Sequence, residues 1–350
     1  MKLNKILIIF VVTLVIGVAA FFISTEQTEQ VEDQESGQTF LSGLSNEINS
    51  VDQIVISEKT GKLHLKQDNG KWILLEKSSY PADFGKIKQL LLSLSDLKTI
   101  ESKTSKPESY GRLGVQKPGE PGDVESRQID LLDKAGNVIS SIIVGKAKVD
   151  RAPGGKPSFY ARKPSEEKSW LLSGELAINL SQTDWLDKSI INLSSQRIKS
   201  VDIKNADNDE VNIAKSAADD KNFKIVNLPK NAEMKSESIA NPIATSLQNL
   251  TFEDVQSRAS FNLTDKKSVV VTFETFDGLT IIADIVTQKD KHYILLDARF
   301  AGKDEKLQNE AKELNARFAE WVYEIPEFKA KAFSKSMQDL LKTKESKKDK

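Results

Sequence analysis

From Phe40 onward the chain alternates apolar and polar residues in short runs, the period of a strand with one wet face. In the first half such runs fall at 51–57, 62–66 and 71–75, separated by the turn sequences Lys59-Thr60-Gly61 and Asp68-Asn69-Gly70. The period then changes. Ile87, Leu90, Leu91, Leu94 and Leu97 recur at helical spacing after Pro81, whose fixed φ suits a first turn. A Pro/Gly-rich loop over 103–126 follows, holding YGRLGV and KPGEPGD, and strands are predicted again at 127–132, 138–144, 157–163 and 168–172.

The second half repeats this order. Strands are predicted at 199–204, 210–214 and 222–226, then a helical pattern after Pro229 (Ile239, Ile243, Leu247, Leu250), then strands at 268–275, 279–286 and 291–296. Ile54 and Ile56 match Val201 and Ile203, Trp72 matches Phe223, Tyr160 matches Tyr293, and Trp185 matches Trp321. The predicted class is therefore α+β: two tandem repeats of a mainly antiparallel sheet unit with one packed helix each, over 40–190 and 191–328. The other reading is two unrelated α+β domains.

Ahead of these lies an uncharged run, ILIIFVVTLVIGVAAFFI at 6–23, all but four of whose residues are Ile, Leu, Val or Phe. As a helix it would rise about 27 Å, close to the hydrocarbon thickness of a bilayer. Lys2 and Lys5 precede it and the acidic run 24–39, STEQTEQVEDQESGQT, follows. The positive-inside rule then puts the N-terminus in the cytoplasm and the bulk of the chain outside, on the periplasmic side of a single-pass inner-membrane anchor. A cleaved signal peptide is the alternative, but its apolar region would be shorter. Residues 24–39 cannot bury a core and read as a flexible stalk.

Composition removes several chemistries. There are no cysteines, so thiol catalysis, disulfides and Cys-based metal sites are excluded. Lys and Arg total 50 against 51 Asp and Glu, which lacks the cationic surplus of a nucleic-acid protein. His64 and His292 lie in strand-like runs without a motif-spaced partner. NADNDE at 205–210 has the acidic density of a calcium loop but neither its glycine nor its closing glutamate, and reads as a hairpin turn. The S-x-x-K pairs Ser95/Lys98 and Ser165/Lys168 lack companion motifs. No catalytic residue, cofactor or metal ligand is assigned, and the expectation is a protein that is not an enzyme.

Binding residues are easier to nominate. Tyr160 and Arg162 share one face of a strand, Trp170 lies on the next, and Tyr110 and Arg112 sit in the long loop. Aromatic–Arg clusters are favoured at interfaces, although a buried tyrosine beside a solvated arginine explains the same pattern. Residues 329–350 form a basic tail in which Phe333, Met337, Leu340 and Leu341 fall at helical spacing among lysines. Such a helix could dock on a partner or an anionic lipid surface, or cap the domain.

With these motifs laid out, the chain resembles a bacterial family known as domain of unknown function 4340. The likeness runs through GLSNEINSVDQIVIS, GKWIL, YPADFGKIKQLLLSLSDL, YGRLGV, VGK, FYARK and NARFAEWVYEIPEFKA. It implies a membrane-tethered protein without assigned activity, often encoded beside ABC transporters of the gliding-motility kind. The expected function is an extracytoplasmic accessory or scaffold whose partner is an inner-membrane complex such as an ABC transporter. The alternative is an extracytoplasmic module binding carbohydrate, lipid or a cell-envelope polymer.

Overall fold

A computed structural model describes residues 36–148, 157–178, 180–207, 209–262 and 268–342. The predicted anchor 6–23 and most of the stalk lie outside these residues. Among the described residues no helix is long and apolar enough to cross a membrane. The fold is α+β, with mainly antiparallel sheets and few helices. It divides into two compact units, Met1–Leu186 and Asp187–Lys350.

Unit 1 opens with a one-turn helix α1 (Leu44–Glu47) and the strands β1 (Gln53–Glu58), β2 (Gly61–Asp68), β3 (Lys71–Leu74) and β4 (Tyr80–Pro81). Helix α2 (Phe84–Ser95) and strand β5 (Lys98–Ser102) follow, then a short helix α3 (Tyr110–Leu113) within the long loop. Strands β6 (Arg127–Leu132), β7 (Val138–Lys148), β8 (Ser158–Arg162) and β9 (Ser169–Ser173) complete the unit. The nine strands form one sheet, ordered β4-β3-β2-β1-β6-β7-β8-β9-β5. The β2–β3 turn forms at Asn69 (φ 50°) and Gly70 (φ 78°), the left-handed pair that a tight hairpin requires. One sheet face carries Ile54, Ile56, Ile129, Leu131 and Ile142, and α2 offers the stripe Ile87, Leu90, Leu91 and Leu94; all are buried and together make the core. Pro81 belongs to β4 rather than to the helix's first turn, where Asp83 is the cap and accepts from the Lys86 N–H at 3.2 Å. Residues 37–39, predicted as stalk, are already tied to β5: the Gly37 N–H donates to the Thr99 carbonyl at 2.7 Å and Thr39 bridges Lys98.

Unit 2 contains β10 (Ser189–Ile191), β11 (Ile198–Lys204), β12 (Glu210–Ala214), β13 (Lys224–Ile225), helix α4 (Asn241–Ala244) and β14 (Leu250–Thr251). It continues with β15 (Asp254–Ser257), β16 (Ser268–Thr275), β17 (Thr280–Gln288), β18 (Lys291–Arg299), helix α5 (Glu305–Phe318) and β19 (Trp321–Ile325). Helices α6 (Glu327–Phe333) and α7 (Met337–Leu340) end it. Its main sheet is ordered β13-β12-β11-β16-β17-β18-β19-β15. Apart from β4, this is the strand order of unit 1.

The agreement extends to register. Ile54 faces Leu65 and Leu131 as Val201 faces Ile213 and Phe273. Leu65 faces Leu74 as Ile213 faces Ile225, which places Trp72 and Phe223 at equivalent positions. In the other direction Ile143 faces Arg162 as Asp284 faces Leu295, so Tyr160 and Tyr293 are equivalent. Trp185 and Trp321 are not. Trp321 opens β19, the counterpart of β9, whereas Trp185 closes a 3₁₀ turn beyond β9.

Unit 2 does not have the single packed helix predicted for it. The helical pattern at 239–250 yields one turn, α4. Thr245 Oγ1 donates back to the Pro242 carbonyl and Ser246 Oγ to that of Ile243, and Asn249 turns left-handed (φ 47°). The longest helix is instead α5, inserted between β18 and β19. Nor is the basic tail one helix. It breaks after Phe333 and restarts at α7 behind a Ser336–Asp339 capping box. Phe333 and Leu340 are fully buried in unit 2, and Leu341 bridges Met234.

A charge cluster closes the near end of β11. Arg197 makes a bidentate pair with Glu310 of α5 at 2.7 and 3.1 Å and also reaches Asp277 in the β16–β17 turn at 2.9 Å. Glu310 raises the Arg197 pKa, with Asp277 adding to the effect. Burial pushes Asp277 up, but the Thr275 hydroxyl and Arg197 outweigh it and hold the carboxyl below its ordinary value. Arg197→Met should lower unit 2 stability by about 1 kcal/mol at neutral pH, solvent screening keeping the figure small. A carboxylate with a depressed folded pKa stabilises above its unfolded value near 3.9 and loses that stabilisation as pH falls through the folded one. The gap between wild type and variant in denaturant melts should therefore close below about pH 4; a pH-independent gap would refute the assignment.

Candidate functional site

The five nominated binding residues do not form one site. Tyr110 and Arg162 are each 5% exposed. The Arg162 guanidinium stacks on the Tyr110 ring at 4.5 Å and donates to the carbonyls of Val115 (3.2 Å), Glu166 (3.0 Å) and Lys163 (3.4 Å). Burying that charge is tolerable because carbonyl dipoles and an aromatic face replace water. The Tyr110 hydroxyl donates to the Glu167 carbonyl at 2.5 Å, and half-buried Tyr160 packs with Leu113 against Tyr110, Val115 and Ile143. This cluster pins the 103–126 loop to the sheet, a structural task. The loop has its own staple in buried Asp123, which accepts from the Gly119 and Ser126 N–H groups and the Ser126 hydroxyl. Burial raises the Asp123 pKa, but those bonds prevail and lower it. Arg112 is exposed. Trp170 pairs with Ala161, one residue out of step with Tyr160 and Arg162, so it lies on the opposite sheet face, with Lys168 Nζ 4.5 Å from its ring.

A groove beside α2 gathers more accessible chemistry. The helix spends Ile87, Leu90, Leu91 and Leu94 on the core, which leaves Lys86, Lys88, Gln89, Leu92 and Ser93 on its outer side. The chain after β9 runs along that side. At its start, Gly174 (φ 142°) comes so near Leu97 that a Cβ would lie 2.9 Å from Leu97 Cδ2. At its end, the Trp185 carbonyl accepts from the Asp83 N–H at 2.7 Å, Lys86 Nζ donates to the Asp184 carbonyl at 2.5 Å, and Ala82 bridges Leu186. Trp185, 3% exposed, is thereby fixed as an end wall.

The resulting cleft has a volume of about 720 Å³, and a second of about 400 Å³ shares Gln89, Ser93 and Glu175 with it. Leu90, Ile178 and Trp185 supply apolar walls, while Lys86, Gln89, Ser93, Glu175 and Asp184 supply donors and acceptors. Apolar walls with a few convergent polar groups suit binding of an elongated, mixed-polarity ligand or segment. Gln89 and Ser93, four residues apart on the helix, were legible as a polar face; the facing run 174–185 has no periodicity that would announce it. Of the histidines, His64 Nδ1 meets Glu76 at 2.5 Å and His292 Nδ1 meets Thr287 at 3.0 Å, both remote in sequence from these groove residues.

Residues 72–270 match the family described as domain of unknown function (DUF4340), more than half of the chain. The chain belongs to the DUF4340 family. The matched span runs from Trp72 in β3 into β16 and includes the whole α2 groove as well as the Tyr110–Arg162 cluster. It leaves α5, α6 and α7 outside. No curated protein shows significant similarity to this DUF4340 chain.

Proposed function

We propose that this DUF4340 protein is a membrane-anchored extracytoplasmic accessory or scaffold component of an inner-membrane complex, with an ABC transporter as its partner. Residues 6–23 are the anchor, placing the N-terminus in the cytoplasm and both sheet units on the periplasmic side. The observation that carries this reading is the uncharged run 6–23 standing ahead of two units of one strand order. We take the two units to be a duplication of one α+β module, a construction that multiplies docking surface without requiring a reaction centre. The α2 groove is the surface assigned to the partner.

A photo-crosslinking residue at Ser93, introduced in the native host, tests this directly, with one at exposed Lys134 as control. The expected result is an adduct to a transporter subunit from Ser93 and none from Lys134. Recovery of the protein free of adducts, or from the soluble fraction, would remove the proposal. A second reading, binding of a carbohydrate, lipid or envelope polymer, is favoured by the mixed lining of the groove. It predicts a non-protein mass retained in native mass spectra and lost in Ser93→Trp, which fills the cleft. A bare protein mass in the native spectra would exclude it.

A further inference from the structure

Because the two sheets share one register, each strand of unit 1 can be compared with its counterpart, and one ladder is incomplete. In unit 2, β17 and β18 pair along their whole length, from Thr280↔Arg299 to Gln288↔Lys291. In unit 1, β8 pairs with β7 only from Ile143↔Arg162 onward. Ser140, Ser141 and Ile142 are equivalent to Ile281, Ile282 and Ala283, which pair with Ala298, Asp297 and Leu296. Among the described residues unit 1 supplies no such partners, because β8 ends at Arg162 and Pro164 follows, a residue with no N–H to give a ladder. Between Val138–Ser141 of β7 and the diverging Lys163–Ser165 lies an opening of about 510 Å³, also lined by Leu41 and Ser42.

The other sheet shows what fits there. Leu296 and Ala298 point into the unit 2 core, 4% and 3% exposed, while Asp297 between them is half-buried on the far face. An occupant of the unit 1 opening would follow the same apolar–polar–apolar alternation, its apolar residues on the side of Ile142 and Ser140. Its middle residue would stand beside Ser141 and Asp130. Asp130 accepts from Gln128 Nε2 at 2.8 Å and from the Ser141 hydroxyl, both neutral donors. The nearby cation Lys163 is paired with Glu166 at 3.0 Å. A basic side chain at the middle position would complete the Asp130 environment. Since β8 runs beside β7 beyond Ile143, the opening admits the end of one extended segment and not the edge of another sheet.

We propose that this opening is a strand-receiving notch, in which a short extended peptide of apolar–basic–apolar sequence from a partner protein pairs with Ser140–Ile142 of β7. The mode is β-augmentation, with main-chain bonds giving affinity and the alternate side chains giving specificity. It stands apart from the α2 groove and does not depend on the function proposed for it.

The test uses the full-length protein and the acetylated pentapeptide Leu-Lys-Ala-Arg-Phe, which is the run 296–300 with lysine in place of Asp297 and begins at the residue facing Ile142, so that β8 keeps its own place. Saturation should slow hydrogen exchange at least tenfold at those amides of 139–142 that are not bonded to β6. Asp130→Asn should weaken the lysine peptide about tenfold, while the unaltered run Leu-Asp-Ala-Arg-Phe, whose aspartate would be repelled by Asp130, binds the variant no less tightly than wild type. A peptide with proline in place of the lysine should not bind. Unchanged exchange at 139–142 under millimolar peptide overturns the proposal, as does protection confined to another part of the sheet. The exchange measurement needs only wild-type protein, so misfolding of a variant would not rescue the idea.

Discussion

Gly145→Ala should destabilise unit 1 by about 3–5 kcal/mol, a loss of the size expected when backbone is overpacked and a buried charge loses its acceptors. Gly145 lies in β7 directly beneath the loop that follows α3. A Cβ there would clash with the Leu113 carbonyl and stand 2.9 Å from both the Gly114 carbonyl and Val115 Cγ1. None of these can retreat cheaply. Gly114 is itself pressed against Lys146, its own Cβ position being 3.2 Å from the Lys146 backbone nitrogen, and its φ of 71° is a glycine conformation. Lifting the loop would also pull the Val115 carbonyl from Arg162, whose guanidinium would remain buried with fewer acceptors. Denaturant unfolding should show the loss, and hydrogen exchange should show residues 103–126 unprotected. A Gly145→Ala protein with wild-type stability and a protected loop would mean that the loop is not seated on β7.

That contact explains why YGRLGV and VGK occur in one chain. The strand period places Tyr160 and Arg162 on one face and leaves Tyr110 in a separate loop; the fold brings the three together. Whether an aromatic–arginine cluster faces solvent or a folded-back loop depends on glycine-permitted contact between segments far apart in sequence, which no local pattern encodes. The α2 groove was invisible for the same reason. Its helical wall follows from the spacing of Ile87, Leu90, Leu91 and Leu94, but its opposite wall exists only because Gly174 and Trp185 anchor an aperiodic run.

Strands that are half-buried and hairpin-connected were legible. β1, β2, β3, β6 and β7, with β11, β12, β16, β17 and β18, each follow alternation and turn chemistry that local sequence supplies. β5 and β15 were missed. Each is an edge strand with a single buried residue, Thr99 or Val255, and each pairs with a strand far along the chain, β9 or β19. Nothing local marks them. Helix α5 is a different case, since its signals were present: Asp304 caps the N–H groups of Lys306 and Leu307, and Leu307, Ala311, Leu314 and Phe318 keep helical spacing. The expectation of a close repeat concealed it, because unit 1 joins β8 to β9 without a helix.

Phe333→Ala should cost about 3–5 kcal/mol and lower the melting temperature of unit 2 by about 10 °C. Phe333 is fully buried and meets Phe273 of β16 edge-on, ring centroids 6.1 Å apart. The chain beyond it is stitched to the unit by backbone: Lys235 N–H donates to the Leu340 carbonyl at 2.9 Å and Lys342 N–H to that of Glu233 at 2.8 Å. Met337 N–H adds a bond to Asp209 Oδ2 at 2.9 Å. Charge contributes little by comparison, since Lys331 and Glu327 pair at 2.7 Å with both side chains 67% exposed, where solvent screens the attraction. Lys331→Ala should therefore leave the melt of unit 2 almost unchanged, whereas Phe333→Ala should not. A helix held on a lipid surface by its lysines would give the reverse order in vesicle binding, with no change in the melt of the free protein. Trp321 is the one tryptophan of unit 2 and reports its unfolding separately once Trp72, Trp170 and Trp185 are replaced by phenylalanine. If that probe melts at the wild-type temperature in Phe333→Ala, the terminal helices are not part of the core.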